Sequence, residues 1–340
     1  MGLMQNSTNF QVDYYFSNKI LKQLNVKESS NIFKTNANDL NQKIADNNSN
    51  NEIYDLIIIG TAHRYFKQFL DISAVLKTAI IVHNLNFFQL NATQLFLNIF
   101  KKETIYRLKL LLREGLLKKN KVYRSAKQLL VLDENLIRSN KNLQYLPLFS
   151  TLNLENYPLY HLSIVIPGNV SQARRDYKKV LSKIEDWSKT HSSDLEIVFL
   201  GKAEGEELIW LQDLEKKKIS NLNVIYFKEK VPQDLFDEYM RKASYLWCPL
   251  QISTTFFSNE EIYGTTKISG IIGDAIKYQK IAFLPKEYPS NFSFINADNE
   301  DLKGQILSFS KLNNKYNFEE FSKQKVQIKL EKALENLIKT

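Results

Sequence analysis

One cysteine, Cys248, serves the whole chain of 340 residues, so no internal disulfide can form. It lies between Trp247 and Pro249 in an apolar run, which reads as a buried structural thiol in a reducing compartment. No stretch approaches the roughly 18 apolar residues of a membrane span, and the opening MGLMQNSTNF lacks the basic-then-apolar pattern of a secretory leader. The expected location is cytoplasmic. The glycine signatures of dinucleotide folds and P-loops are absent, which removes support from nicotinamide oxidoreductases and P-loop NTPases. His and Cys fall at no metal-ligand spacing, and there is no Asp-x-Asp of the kind that holds a divalent ion beside a diphosphate. Neither a metal nor any other cofactor is therefore expected.

What the chain does carry is positive charge, unevenly spread. The formal net charge is +9, and the segment 101–127, KKETIYRLKLLLREGLLKKNKVYRSAK, sets ten Lys or Arg against Glu103 and Glu114. Ile105, Leu108, Leu112 and Leu116 recur at helical spacing with Lys109 and Arg113 off that line, which predicts a basic amphipathic helix or helix pair. Such a surface is either a solvated face beside the core or a dock for an anionic membrane surface, with Phe96 and Phe100 nearby to insert. Nucleic acid is not an expected partner, because no helix-turn-helix, zinc-finger or RNA-recognition pattern accompanies it.

The length favours two domains. Residues 1–52 are polar and Asn-rich, and irregular structure with one or two helices is expected there. IYDLIIIG (53–60) and TAIIVHNLNFF (78–88) are runs of the kind found in strands buried on both faces, with a helix-length segment between them. QLLVLDENL adds another strand before a link near 150–158. A second series begins at YHLSIVIPG (160–168) and alternates strand and helix through LEIVFLG, NVIYF, SYLWCPL and KIAFLP. Two such series imply an α/β protein with mainly parallel sheets. FEEFSKQKVQIKLEKALENLIK closes the chain as an amphipathic helix.

Ligands of parallel sheets bind at the carboxyl ends of the strands, where loops enter helices. After SIVIPG the loop 169–173 leads into Arg174 and Arg175. In NEEIYGTTKISGIIGDAIKYQKIAFLP (259–285), Gly264 allows close backbone approach, and Thr265, Thr266 and Lys267 are expected at a helix N-terminus, where a diphosphate would fit. The alternative is a Thr-capped helix with a solvated lysine. His83 ends a buried strand at the ligand edge, either as a satisfied histidine or in acceptor binding. His63, after IIIGTA, is similarly placed and reads more simply as structural; His161 and His191 read as structural or exposed.

Taken in order, IVIPGNVSQARRDYKKVL, LEIVFLG, NVIYFKEKVPQDLFDEYMRKASYLWCPL and EEIYGTTKISGIIGDAIKYQKIAFLP resemble the nucleotide-binding domain of retaining GT-B glycosyltransferases, those related to glycogen synthase and the bacterial polysaccharide-building group. IIVHNLNFF and LLVLDENL resemble the acceptor domain more weakly. The resemblance implies two Rossmann-like domains facing across a cleft: 1–155 on the acceptor side, with an atypical start, 156–315 on the nucleotide-sugar side, and 316–340 as a helix crossing back. It also implies transfer of a sugar from a nucleotide diphosphate sugar to a glycan or lipid-linked acceptor in surface polysaccharide assembly. A sugar-nucleotide epimerase of the same fold, or a catalytically silent relative that partners glycan assembly, are the alternatives.

The family's paired glutamates stand eight positions apart, and here that pattern is split. Counting from the front places the first on Glu261, followed by Tyr263 and Gly264, and the second on Ser269; counting from the back makes Asp274 the second acid. By resemblance Asp274 would bind the ribose and Glu261 the donor sugar. Arg174 takes the position of a diphosphate-neutralising lysine beyond Gly168, Asn169 stands where an arginine is usual, and Lys267 would compensate.

Overall fold

The computed structural model of the protein describes residues 2–5, 7–49, 54–140, 142–152, 161–191, 193–312 and 316–339. Its elements in the first half are β1 (Tyr14–Phe16), α1 (Asn18–Leu24), β2 (Ile32–Lys34), α2 (Leu40–Ser49), β3 (Ile57–Ile59), α3 (Phe66–Val75), β4 (Thr78–Ile81), α4 (Leu85–Gln89), α5 (Ala92–Ile99), α6 (Thr104–Glu114), α7 (Lys119–Ser125), β5 (Gln128–Val131) and β6 (Leu143–Tyr145). The second half holds β7 (Leu162–Pro167), α8 (Tyr177–Thr190), β8 (Leu195–Lys202), α9 (Gly205–Lys216), β9 (Leu222–Phe227), α10 (Gln233–Lys242), β10 (Tyr245–Trp247), β11 (Ser253–Phe256), β12 (Asn259–Ile262), α11 (Gly270–Tyr278), β13 (Ala282–Leu284), β14 (Ile295–Ala297), α12 (Leu302–Leu312) and α13 (Lys323–Lys339).

Two parallel sheets organise the chain, β3-β4-β5-β6 and β14-β13-β10-β7-β8-β9. Their central strands are continuous apolar runs for a physical reason: helices cover both faces, so every side chain must enter a core. All four residues of β4 and the last five of β7 are buried. Helix α8 shows the complementary pattern, with Asp176 capping its start and Tyr177, Val180, Ile184 and Trp187 buried along one stripe. At the end of the chain, Phe318 and Phe321 fill the core of the second unit, while Leu330, Leu334 and Leu337 of α13 pack with Ala79, Ile81 and Leu130 of the first sheet. The expected boundary at 155–156 lies in 153–160, outside the described residues.

Three local expectations require correction. The polar N-terminal segment also contributes a parallel strand pair, β1 with β2, whose three-residue strands are too short to show a period. Residues 253–262 form an antiparallel hairpin of β11 and β12, and α11 begins only at Gly270, capped by the Ser269 side chain. The backbone N–H groups of Thr265, Thr266 and Lys267 all donate to the carbonyl of Ile262, so they are consumed in a turn and do not form a helix N-terminus.

The third correction concerns 101–127. Ile105 and Leu112, read as part of one apolar helical line, are 87% and 80% exposed; Arg107, Leu110 and Glu114 are the buried line of α6. Specific partners make this inversion possible. Arg107 Nη1 donates to the Asn98 carbonyl at 2.5 Å and to Ser258 Oγ at 2.7 Å, with the guanidinium 4.4 Å over the Phe257 ring. Glu114 accepts from Arg64 Nε and from the backbone N–H of Tyr65. A buried charge is tolerated when its hydrogen bonds are supplied.

Candidate functional site

At the carboxyl edge of the second sheet, β7 turns at Gly168 with φ +97°, and a Cβ there would stand 2.8 Å from Arg175 Nη2. Glycine is needed because the guanidinium lies against this backbone. Arg175 is held by a backbone bridge to Leu250 and donates from Nη1 to the Asn169 carbonyl at 3.4 Å. Arg174, the preceding residue, is exposed. Both arginines act on Tyr263, whose phenol burial pushes above its ordinary range while the two cations pull it down.

Lys267 sits between aromatic rings, its Nζ 5.7 Å from the centre of Phe256 and 5.6 Å from that of Tyr263. Burial lowers its pKa, Glu261 opposes that shift, and Arg174 adds to it. Asp274 on α11 is pushed up to about 6 by burial, against the pull of Lys277 and Arg175. Arg174, Arg175 and Lys267 thus gather around Tyr263, and Asp274 stands beside Arg175. Arg174 disfavours the charge of half-buried Lys267, and an anion placed between them would relieve that.

The first sheet reaches the same place through α4. An antiparallel bridge joins Asn84 to Lys267, and the Leu85 N–H donates to the Thr266 carbonyl at 2.8 Å. A five-residue helix cannot satisfy its own ends, and here the ends are met by two buried charges. At the N-terminus, Glu261, 0% exposed, accepts from Phe87 N–H at 2.8 Å and Asn86 N–H at 3.3 Å. At the C-terminus, Lys119, also 0% exposed, donates to the carbonyls of Phe87, Phe88 and Leu90 at 2.7, 2.8 and 2.8 Å. Each charge has the sign the helix dipole favours at its end.

This clamp fixes the residues just before α4. His83 Nε2 lies 2.8 Å from the Gly60 carbonyl and 3.3 Å from Thr61 Oγ1. The Asn84 amide nitrogen lies 3.2 Å from His63 Nε2, so that nitrogen accepts and the ring is neutral. Burial lowers the His63 pKa to about 4, with His83 and Lys267 adding to the effect. Asn84 Oδ1 is buried and finds no donor among the described residues.

The expected site residues therefore divide. Gly168, Asn169, Arg174, Tyr263 and Asp274 lie near Arg175, Lys267 lies against the Tyr263 ring, and His83 is across the seam near His63. Gly264, at φ +79°, is a packing glycine whose Cβ would lie 2.7 Å from Pro289 Cδ. Thr265 is exposed, and Thr266 Oγ1 accepts from the Ile262 N–H at 2.8 Å. Glu261, assigned to the donor sugar by resemblance, faces α4 with its oxygens on backbone N–H groups. The reading of the sequence gave no role to Arg175 and a structural one to His63 and left Asn84 unread; the Arg-Arg pair and the HNLNFF run were the available signals. A groove of about 570 Å³ bordered by residues of β9, including Tyr226 and Phe227, holds none of these groups.

No protein-family model matches the sequence, and no curated protein matches it either. Among solved structures, a glycosyltransferase from Rickettsia africae ESF-5 superposes with a TM-score of 0.56 at 10% identity, covering 95% of this chain and 88% of that one. A structure described as a UDP-N-acetylglucosamine 2-epimerase from Listeria monocytogenes gives 0.50 at 9% identity, over 94% and 86%. The pneumococcal O-GlcNAc transferase GtfA gives 0.49 at 11% identity, and the chain spans only 60% of its length. The architecture is GT-B: an α/β chain with two mainly parallel sheets and structural neighbours among glycosyltransferases and sugar-nucleotide epimerases.

Proposed function

We propose that the protein transfers a sugar from a nucleotide diphosphate donor to a glycan or lipid-linked acceptor. The observation that carries this reading is the convergence of Arg174, Arg175 and Lys267 near Tyr263 in the second unit, with Lys267 directly bridged to Asn84 of the first. The three cations would stabilise charge developing on the leaving diphosphate, the dominant electrostatic contribution in such a reaction. Asp274 would take the ribose hydroxyls. On the opposite side, His63 fixes Asn84, whose unpartnered Oδ1 would accept a hydrogen bond from a hydroxyl of the acceptor, and His83 would orient that acceptor. No metal is assigned a role in this scheme.

The test is donor-dependent release of nucleoside diphosphate in EDTA, with and without glycan acceptor. Release that requires an acceptor supports transfer; strict dependence on added manganese removes the metal-free mechanism. Conversion of the nucleotide sugar with no acceptor identifies an epimerase. One observation favours a silent partner as the second reading: the Glu261 carboxylate is engaged as a helix cap and is fully buried. Donor binding without turnover under any condition would select it.

A further inference from the structure

The stretch from α5 to the end of α7 presents a surface that neither the core nor the site explains. Phe96, Leu97 and Phe100 are 45%, 58% and 55% exposed, and across the short loop that follows Ile105 and Leu112 are 87% and 80% exposed. The Phe96 and Phe100 rings rest edge-on at 5.4 Å, so they form one raised apolar step. Single exposed apolar residues need no explanation, but a group of five on adjoining elements does.

The same stretch is rich in exposed basic side chains. Lys101, Lys102, Lys109, Arg113, Lys118, Lys121, Arg124 and Lys127 are exposed, whereas Glu103 is the only exposed acid between residues 91 and 127. The other two cations of this region, Arg107 and Lys119, are internal and belong to the packing already described. On α6 the exposed line runs Ile105, Lys109, Leu112, Arg113, so apolar and basic groups share one face. Long basic stems lying beside apolar groups can keep their charges in the headgroup layer while the apolar tips go deeper.

We propose that this face docks on an anionic lipid bilayer. Charge complementarity selects that occupant. A protein partner is a poorer fit, because lysine is depleted at protein interfaces and six of the eight exposed cations are lysines. Nucleic acid would use the cations and leave Ile105 and Leu112 unburied. Docking would place α6 on the membrane with its other face still holding the hairpin tip through Arg107 and Ser258. The reacting seam would then stand close to the bilayer. The proposal rests on exposure and charge and holds whichever donor or acceptor the protein uses.

The test is sedimentation of the purified full chain with phosphatidylcholine vesicles, and with vesicles containing phosphatidylglycerol, at low and at physiological salt. Binding is expected only with the anionic vesicles, and it weakens as salt rises. Each exposed cation near such a surface is worth roughly a fivefold change in partitioning. Replacing Lys101, Lys102 and Lys109 by Gln should therefore lower binding about a hundredfold. Replacing Phe96, Phe100 and Ile105 by Ser should also lower it, without altering the salt dependence. All six residues are exposed, and unchanged thermal unfolding confirms that the variants fold. Wild type that ignores anionic vesicles at low salt, or binding that neither set of changes reduces, overturns the proposal and leaves a protein partner or a solvated face.

Discussion

Replacing Lys119 by Met removes the buried ammonium that closes the C-terminus of α4 and leaves its packing volume nearly unchanged. Three carbonyls lose their donor, of which Phe87 O keeps a second partner in the Leu90 N–H at 3.2 Å. Phe88 O and Leu90 O are the ones left orphaned, at about 1–3 kcal/mol each. Against this, burial draws the Lys119 pKa below the usual amine range, so deleting the charge returns part of a desolvation cost. The net loss expected is about 2–4 kcal/mol, or a drop of about 3–6 °C in unfolding temperature. Urea and thermal unfolding followed by circular dichroism measure it, with exposed Lys121→Met as the control, expected within about 0.5 kcal/mol of wild type. Amide exchange at 84–90 should quicken in Lys119→Met alone. If both variants match wild type, the three carbonyl contacts do not hold α4 and the clamp is refuted.

Asp274→Asn tests the buried carboxyl beside Arg175. Because its folded pKa of about 6 exceeds the ordinary carboxylate value of 3.8, the folded state holds the proton more tightly, and wild-type stability declines through this group as pH rises between those values. The variant should lack that component, worth up to about 3 kcal/mol, as read from urea midpoints across the window; parallel pH profiles would contradict it. His63 acts with the opposite sign: its folded pKa of about 4 lies below 6.5, so its contribution is lost as pH falls through that interval, and His63→Gln should flatten this loss in acid unfolding. Gly264→Ala should destabilise by about 1–3 kcal/mol, since a Cβ at φ +79° would strike Pro289 at 2.7 Å; a neutral result by thermal unfolding would show that the turn readily relaxes.

The α/β alternation was legible because strands covered on both faces must be apolar throughout, as β4 and β7 are. The position of Gly168, Asn169 and Arg174 was legible for a related reason: they follow the end of β7, where a loop enters α8. The hairpin of β11 and β12 was hidden. Its turn uses Phe257 and Ser258 at φ +53° and +56°, with none of the Asn-Gly signal that such a conformation normally requires. Tertiary partners decide the rest. Glu261 meets α4 across 174 residues, and Lys119 meets Phe87 across 32, so no local pattern distinguishes these buried charges from solvated ones. The same limit inverted α6, where Arg107 goes inward because the hairpin tip supplies its partners. Between Arg174 and Arg175, the bridge to Leu250 determines which guanidinium lies on Gly168, and a pair of adjacent arginines carries no mark of that.

The most direct measurement is calorimetric titration of wild type, Arg175→Met and Lys267→Met with a panel of nucleoside diphosphates and nucleotide sugars in EDTA. The account predicts binding of at least one nucleoside diphosphate by wild type and a loss of about tenfold or more in each variant, since each would remove the charge-assisted bonds proposed to the diphosphate. Wild type that binds none of the panel, or binding unchanged in both variants, would contradict the assignment of this seam to a nucleotide diphosphate donor.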